Sequence, residues 1–198
     1  MATRYVLKNV RLAFGHGLWT KSKPKNSDPG VKEKFRCSAL LERDHPQLYE
    51  INQIIRDEAA AKFGTAVDPK TKKVKWETVL KAAEAQQKVC LRDGDLKAEY
   101  EGFADHWAIS CNAITRPTVF DVDGSPAAED SGIVYSGCMV NMIVTFKAYD
   151  NVSKGVTCEL NGVRKWADND AFSGGRPADA DEFPDEIAAP AEDDELLQ

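Results

Sequence analysis

The stretch from Ser136 to Trp166, SGCMVNMIVTFKAYDNVSKGVTCELNGVRKW, predicts two long β-strands joined by a polar turn at residues 150–155. Every second residue from Cys138 to Ala148 is apolar, and because side chains alternate across a strand, this set predicts a face in a protein core. The turn contains Asp, Asn, Ser and Gly, which favour turn geometry. The other side chains of the first strand point away from that core: Met139, Asn141, Ile143, Thr145, Lys147 and Tyr149.

The polar face of this hairpin has two interpretations that the pattern leaves open. The second strand ends in Arg164, Lys165 and Trp166, so basic and aromatic side chains lie on the open side of a curved ribbon. Such a surface suits a single nucleic-acid strand, whose phosphates meet cations and whose bases stack on rings. An ordinary sheet with one solvated face gives the same alternation.

The composition is typical of one domain with a good core. The chain has 198 residues, of which 42% are apolar and 29% are charged. No apolar run reaches the length of about 20 residues that a membrane span needs, and the N-terminus lacks the pattern of a signal peptide. Five cysteines without a C-x-x-C pair favour reduced, buried thiols over disulfides or a zinc site. These features predict a protein of the cytoplasm.

The negative charge of the chain is concentrated at its C-terminus. Nine of the 32 acidic residues and no basic ones lie from Ala178 to Gln198, which leaves 23 acidic against 26 basic residues in the rest. A mildly basic body with a strongly acidic tail often accompanies nucleic-acid binding. The tail is rich in Ala, Pro, Asp and Glu, so we predict a folded domain at residues 1–177 and a disordered acidic tail at 178–198.

Three further segments are predicted as strands, the first because it is rich in Val, Leu, Tyr and Phe and the other two because they alternate. They are Arg4–Phe14, Glu33–Arg43 and His106–Thr115. In the second of them, Lys34, Arg36 and Ser38 alternate with apolar residues, which predicts a basic, open face opposite a buried one. In the third, Trp107 shares the predicted core face, unless that face lines a binding groove at the end of the strand.

Between the second and third of these strands the sequence predicts a helical insertion at about residues 44–90. Apolar residues recur at helical spacing in His45–Phe63 and again in Trp76–Val89. Two helices between strands indicate an insertion that caps a β core. Leu91–Phe103 is rich in turn residues, and Asp168–Arg176 has the composition of a linker.

The sequence contains no motif for catalysis or for cofactor binding. Its three histidines are in unrelated contexts, and H-E-x-x-H, G-x-S-x-G, a Walker loop and a dinucleotide fingerprint are all missing. We therefore predict a binding protein without cofactor or metal rather than an enzyme. Asp121, Asp123 and Asp150 leave a metal-dependent nuclease as an alternative, since Mg²⁺ prefers carboxylate oxygens.

Several short segments carry a resemblance that covers nearly the whole chain. The most specific lie in the hairpin: Tyr135–Cys138, Ala148–Asn151, Lys154–Val156 and Leu160–Asn161. The others are Arg11–Leu12, Phe14, Leu91–Asp95, His106–Ala113, Arg116–Pro117, Gly174–Arg176 and the acidic tail. In this combination the chain resembles the single-stranded DNA-binding proteins of tailed bacteriophages, a family long known only as a domain of unknown function.

The resemblance implies an OB-fold, which is a five-stranded barrel, with inserted helices. It implies a protein that coats single-stranded DNA with little sequence preference and protects it during phage DNA replication or recombination. The tail is expected to recruit phage or host replication proteins and to compete with DNA, and a homodimer is among the expected assemblies. The tail ends in Leu-Leu-Gln, without the terminal Phe common in such tails. Its partner-binding residues are predicted to be Glu192, Asp193, Asp194, Glu195, Leu196 and Leu197.

The resemblance also implies roles for individual residues. Basic side chains are expected to follow the phosphates: Lys8, Arg11, Lys34, Arg36, Arg116, Lys147 and Lys154, with Arg164 and Lys165 as further candidates. Rings are expected to stack on bases: Phe14, Trp107, Tyr149 and Trp166. Asn141 and Thr145 are expected to donate hydrogen bonds. Beside the nuclease, a virion or assembly protein that uses the tail as a docking peptide is the remaining alternative.

Overall fold

The structure, a computed structural model, describes residues 4–24, 30–67, 69 and 72–173. The predicted domain boundary at residue 177 and the acidic tail lie outside these residues. None of the helices within them is long and apolar enough to cross a membrane. Seven strands and two α-helices follow in chain order: β1 (Arg4–Ala13), β2 (Phe35–Glu42), α1 (Leu48–Phe63), α2 (Lys75–Ala85), β3 (Leu91–Asp93), β4 (His106–Ala113), β5 (Thr118–Phe120), β6 (Met139–Asp150) and β7 (Lys154–Ala167).

Five of the strands close into a barrel. Antiparallel pairing joins β4 to β2, β2 to β1, β1 to β6 and β6 to β7. A parallel pairing of β4 with β7, in which Cys111 is opposite Cys158 and Asn112 is opposite Glu159, completes the circle. The short strands β3 and β5 extend the sheet from β4 and β7. The predicted fold, a five-stranded OB barrel with inserted helices, is confirmed.

The hairpin of β6 and β7 forms as predicted. Its strands pair from Met139 opposite Ala167 to Asp150 opposite Lys154. The predicted core face is at most 1% exposed over five residues: Cys138, Val140, Met142, Val144 and Phe146. Thr145 points outward but is only 4% exposed, and its hydroxyl donates a hydrogen bond to Asn161 Oδ1 at 2.9 Å. The side chains on one face of the hairpin therefore fill the interior of the barrel, as the alternation predicts.

The two helices between β2 and β3 form the predicted insertion. α1 buries one residue in every four along a single face, which is the pattern of an amphipathic helix. Those residues are Ile51, Ile55, Ala59 and Phe63. Polar contacts fasten the start of α1 to β1, because the Tyr5 hydroxyl donates to Glu50 Oε2 at 2.6 Å. The Gln47 amide nitrogen also donates to Val6 O, at 2.9 Å.

Both helices are shorter than predicted, whereas the predicted strand ends are right to within two residues. α1 begins at Leu48 rather than His45, because the His45 ring contacts backbone atoms through both nitrogens and holds residues 45–47 in a turn. α2 ends at Ala85 because Gln87 takes a left-handed conformation with φ of 55°. Val89, predicted as helical, instead forms a bridge to β7.

The outer side of β2 is not open along its whole length, and the prediction of an open Ser38 was wrong. Ser38 is 6% exposed and Leu40 is 1% exposed. A second apolar cluster covers them from outside the barrel: Ala13, Leu40, Phe103 and Ala108, with Tyr100 and Phe172 packed against it. The inner side of β2 is buried as predicted: Phe35, Cys37, Ala39 and Leu41.

The covering side chains come from two segments for which the sequence predicts turns and a linker. One is the loop between β3 and β4, at residues 94–105. The other is Asp168–Ser173, which we call the strap. The strap does not lead away from the barrel, because the Phe172 backbone nitrogen donates to Ser136 O at 2.8 Å. The linker prediction is therefore wrong for these six residues.

All five cysteines are free and buried, as predicted. Three of them form one row inside the barrel, because Cys37 is opposite Cys111 and Cys111 is opposite Cys158. The sulfur atoms of Cys111 and Cys158 are 3.6 Å apart. Burial raises the pKa of the Cys90 thiol to about 12 and also raises the pKa of Cys158, because a thiolate would lose its hydration there.

We expect Cys90 to make the fold sensitive to alkali. Its neutral thiol contributes full stability below the pKa of a free thiol, about 8.5. That contribution is lost as the pH rises towards the folded-state pKa of about 12. In this window the free energy of unfolding should fall more steeply in the unsubstituted chain than in C90A, by about 1.4 kcal/mol per pH unit. Urea denaturation at several alkaline pH values measures both slopes, and equal slopes would contradict the prediction.

Candidate nucleic-acid interface

The outer surfaces of β2 and β4 form one continuous surface, which we call the β2–β4 face. Residues opposite each other on paired strands project to the same side. The outward pairs are Arg36 with Asn112, Ser38 with Ser110 and Leu40 with Ala108. The neighbouring strands extend the pair of Leu40 and Ala108 into a row of four outward residues. β1 places Arg11 opposite Leu40, and β3 places Arg92 opposite Ala108.

A polar and positively charged patch lies at the end of this face where β2 begins. Lys34 Nζ donates to Asn112 Oδ1 at 3.3 Å, and the Asn112 amide nitrogen donates to Thr157 Oγ1 at 3.0 Å. Arg36 Nε donates to Ser22 O at 3.2 Å. Partial burial lowers the pKa of Arg36 from its usual value. Two predicted phosphate-binding residues, Lys34 and Arg36, are thus brought together.

A second pair of cations lies at the edge of the face formed by β3. Arg92 Nε donates to Val89 O at 2.9 Å. Burial lowers the pKa of Lys97, and the neighbouring positive charge of Arg92 lowers it further. Both residues line a small hollow together with Phe103 and Ser110. Two positive charges in a partly buried hollow repel each other, so a bound anion would stabilise both.

Aromatic rings border the β2–β4 face on the side of the loop that follows β1. Phe14 is 41% exposed, and its ring centroid is 5.3 Å from that of Tyr100 in a T-shaped contact. The centroid of Phe103 is 5.6 Å from that of Phe14. Phe14 has a left-handed backbone with φ of 58°, which is costly for a bulky residue. The chain therefore holds this ring at the surface against a conformational cost.

Arg11 lies at the centre of the face, but its guanidinium is held by the strap. Arg11 Nε donates to Gly137 O at 3.1 Å, and Nη2 donates to Asp170 O at 2.8 Å. The guanidinium carbon is 4.2 Å from the centroid of the Phe172 ring. In this arrangement the single N–H of Nε and one of the two N–H groups of Nη2 are occupied, which leaves less of the guanidinium free for a phosphate.

Other predicted cations have partners of their own. The ion pairs are Lys147 with Glu159, Lys154 with Asp150 (3.6 Å) and Lys165 with Asp168 (2.7 Å). The guanidinium carbon of Arg116 is 4.9 Å from the centroid of the Trp19 ring. Exposed ion pairs contribute little stability, but they neutralise the charge that a phosphate would need. Lys147 still borders the β2–β4 face, because it is opposite Thr157 on β7, and Thr157 accepts the hydrogen bond from Asn112 of β4.

Several predicted residues lie on other parts of the barrel. Asn141 Oδ1 accepts a hydrogen bond from the Asn9 backbone nitrogen at 2.8 Å, and Arg164 donates to Val122 O. Asn141 and Arg164 line an open depression of about 420 Å³ on the outer surface of β6 and β7. The remaining ones are Lys8, which lines a cavity of about 310 Å³ between β1 and residues 45–47, and Trp166, which is 57% exposed near the end of β7. Tyr149, in contrast, lies near Arg92 at the β3 edge of the β2–β4 face, and its hydroxyl donates to Lys88 O at 3.3 Å.

Trp107 packs against the main core, on the inward side that its alternation predicts. The guanidinium carbon of Arg43 is 5.1 Å from the centroid of the Trp107 ring. Arg43 is also paired with Asp93 at 2.6 Å and with Asp95 at 2.8 Å, and this contact holds the pKa of Asp93 below its usual range. The structure therefore separates Trp107 from the β2–β4 face.

Sequence reasoning missed three residues of this face: Arg92, Lys97 and Tyr100. β3 has only three residues, which is too short for alternation to be seen, so its segment is predicted as turns. Tyr100 reaches the face only because the loop at 94–105 folds back over β2 and β4. The one available signal was that Arg92 belongs to a segment that carries the resemblance.

A closed five-stranded barrel with cations and rings around the outer face of its second and third strands defines an OB-fold protein. In this fold that same face binds oligonucleotides and oligosaccharides. The chain belongs to the family described as Enterobacter phage Enc34, ssDNA-binding protein, whose family model matches residues 3–197. The family predicted from short segments of the sequence is thereby confirmed.

Similar proteins include one of unassigned function and several of known structure. Putative protein p50 of Acyrthosiphon pisum secondary endosymbiont phage 1 is 36% identical over 192 residues, which are 96% of this chain and 97% of p50. The single-stranded DNA-binding protein of bacteriophage Enc34, solved in complex with ssDNA, matches with a TM-score of 0.65 at 21% identity, over 86% and 89% of the two chains. Gp2.5 of bacteriophage T7, a single-stranded DNA-binding protein, matches with a TM-score of 0.56 at 11% identity, over 96% and 99%. At these identities the two structural matches establish a shared fold.

The Lys97 amine is expected to titrate below its usual range, and R92Q is expected to raise the pKa of Lys97. Burial remains in the variant, so removing the neighbouring positive charge should reverse only part of the shift. An NMR pH titration of the Lys97 side-chain methylene signals measures the pKa in both chains. An unchanged pKa in R92Q would mean that the two cations are too far apart to interact.

Proposed function

We propose that this protein binds single-stranded DNA along the β2–β4 face, without strong sequence preference, and that it coats and protects the strand during phage DNA replication or recombination. The observation that supports this proposal is the arrangement of cations at both ends of an OB-fold binding face with exposed rings beside them. The site of action is then the cytoplasm of the bacterial host.

Four cations are the best candidates for phosphate contacts. They are Lys34, Arg36, Arg92 and Lys97, none of which has an acidic side chain within 4.0 Å among the described residues. The paired lysines 147, 154 and 165 are weaker candidates, because a phosphate would first have to displace a carboxylate. Phosphate contacts carry no sequence information, which is consistent with binding that ignores sequence.

Phe14 and Tyr100 are the best candidates for contacts with bases. Stacking on an aromatic ring is worth about 1–3 kcal/mol per base and is available to every base, because every base has a flat face. Tyr149 lies next to Lys88 and Arg92 and extends the same surface towards the turn between β6 and β7. Trp107 is a weaker candidate, since Arg43 and the core already cover its ring.

We propose that the acidic tail recruits replication proteins and competes with DNA for the β2–β4 face. The strap brings the chain to this face, where the Ser173 backbone nitrogen and hydroxyl both donate to Glu101 Oε2 at 2.8 Å. The tail with its nine carboxylates begins five residues after Ser173 in the sequence, and this short separation supports competition for the cations of the face. A homodimer would place two such tails in one assembly.

The proposed function is binding rather than catalysis. Asp121 and Asp123 each accept a backbone hydrogen bond in the turn after β5, at 2.6 Å and 2.8 Å. This turn lies near Asn141 of β6, because Val122 in the turn contacts Arg164 and Arg164 is opposite Asn141. Asp150 is nine residues further along β6, at its far end. At about 3.3 Å per residue, this separates the two groups by about 30 Å. These carboxylates therefore do not converge on a shared metal ion.

Loss of any one of the unpaired cations is expected to weaken binding to oligo-dT. R36A, R92A and K97A should each lower the affinity several-fold and reduce the slope of log K against log salt by about 0.7, the value for one phosphate contact with a single strand. Fluorescence anisotropy at several salt concentrations measures both quantities. K81A, which removes an exposed lysine of α2, is the matched control. Variants that bind like K81A would place the phosphates elsewhere on the barrel.

Removal of residues 174–198 is expected to tighten binding to oligo-dT at low salt and to have little effect at high salt. The reason is that the tail carries nine carboxylates, and competition between charges at the surface is screened by ions. A chain ending at Ser173 keeps the strap and is compared with the full chain in the same titration. Equal affinities at low salt would show that the tail does not compete with DNA.

A further inference from the structure

The strap places an aromatic ring at the centre of the β2–β4 face. Phe172 packs against the apolar cluster formed by Leu40, Phe103 and Ala108. On its other side the ring meets Arg11, whose guanidinium carbon is 4.2 Å from the ring centroid. The ring is therefore held between an apolar floor and a planar cation, on a surface that lies between the two cationic patches.

We call the position of the Phe172 ring, between Arg11 and the apolar cluster, the seat of Phe172. The backbone around this seat leaves no room for additional side-chain atoms. A Cβ at Gly102 would be 2.2 Å from Phe172 Cζ, and a Cβ at Gly137 would be 2.2 Å from Asp170 O. Both glycines also have positive φ angles, of 81° and 107°. Only glycine fits at these two positions while the strap is in place.

The strap is held by contacts at the surface rather than by deep burial. Its hydrogen bonds run from Tyr135 to Asp168 and Asn169, from Phe172 to Ser136, from Arg11 to Asp170 and from Ser173 to Glu101. Phe172 is half-buried, whereas Leu40 and Phe103 beneath it are at most 2% exposed. Segments with few buried contacts and exposed hydrogen bonds are the first to open in a folded protein.

We propose that the seat of Phe172 is a nucleobase-binding site and that DNA displaces the strap to occupy it. A base is flat and aromatic like the Phe172 ring, and a guanidinium stacks on a base as it does on phenylalanine. The exchange also releases Arg11 Nη2 from Asp170 O, so that both N–H groups of this nitrogen can meet the adjoining phosphate. This inference rests on the proposed DNA binding. It adds a binding site for a base at the centre of the β2–β4 face and identifies Phe172 of the strap as the group that the base displaces.

Displacement of the strap by DNA links the binding of a base to the release of the segment that precedes the tail. A base and Phe172 cannot occupy one seat, so each weakens the binding of the other by the same factor. Ser173 is the last described residue before the tail, and release of the strap would lengthen the tether between barrel and tail by six residues. Binding of DNA would thereby extend the reach of the tail towards a protein partner.

Amide hydrogen exchange tests the displacement directly in the full chain. The Phe172 amide donates to Ser136 O in the free protein and should be protected. Saturating oligo-dT is expected to raise the exchange rate of the Phe172 and Ser173 amides, while the amides of β2 and β4 slow or stay unchanged. A Phe172 amide that stays equally protected in the presence of bound oligonucleotide would overturn the inference. Absence of oligonucleotide binding would instead overturn the proposed function.

The variant F172A provides a second test. Because it empties the seat, F172A is expected to bind oligo-dT about threefold to tenfold more tightly, since no part of the population has to release the strap first. Y49A, which removes a ring that is 77% exposed on α1, is the matched control. Thermal melting shows whether each variant is folded. A folded F172A with unchanged or weaker binding would mean that the seat is not on the path of the DNA.

The stacking role of Arg11 is tested in the F172A background. R11K keeps the positive charge but loses the planar group that stacks on a ring. F172A with R11K is therefore expected to lose most of the gain in affinity that F172A alone gives. If the double variant binds as tightly as F172A, Arg11 does not stack on a base.

Discussion

Closure of the barrel by the parallel pairing of β4 with β7 is the constraint on which the rest of the structure depends. This pairing joins the strand that follows the helices to the long C-terminal hairpin, two parts of the chain that are remote in sequence. Without it, β4 and β7 would each present an open edge, and one side of the core would meet water. The row of cysteines at 37, 111 and 158 lies where the strands close, and such small side chains suit the narrow interior of a small barrel.

Closure also decides the character of the outer surface. Once the interior is filled, every other residue of β1, β2 and β4 must face outward, including Leu40 and Ala108. Apolar residues in the middle of an outer face need a cover, and the loop at 94–105 and the strap supply it. The cations lie partly buried at the two ends of that cover. A face with charged ends and an aromatic centre follows from covering the apolar row with a surface segment.

The parts of the fold that local pattern can specify were predicted well. The core face of β6 and the helices of the insertion follow from periods of two and of about four residues, which are properties of the backbone itself. Alternation predicted that Lys34 and Arg36 face outward, whereas their role as phosphate contacts and that of Phe14 as a stacking ring were implied by the resemblance and stay predictions. Lys154 and Lys165 have acidic partners four and three residues away, so these pairs were visible in the sequence, whereas the partner of Lys147 lies on the next strand.

The sequence by itself determined the five strands of the barrel, the two helices, the membership of the family and the separation of a mildly basic body from an acidic tail. Only the tertiary structure decided that Trp107 packs under Arg43, that Arg92, Lys97 and Tyr100 join the β2–β4 face, and that Arg11 holds Phe172. The physical reason is the range of the interactions. Alternation and helical spacing act over a few residues, but the partner of a side chain across a barrel depends on strand register and on closure, which bring together residues as distant as Arg11 and Phe172.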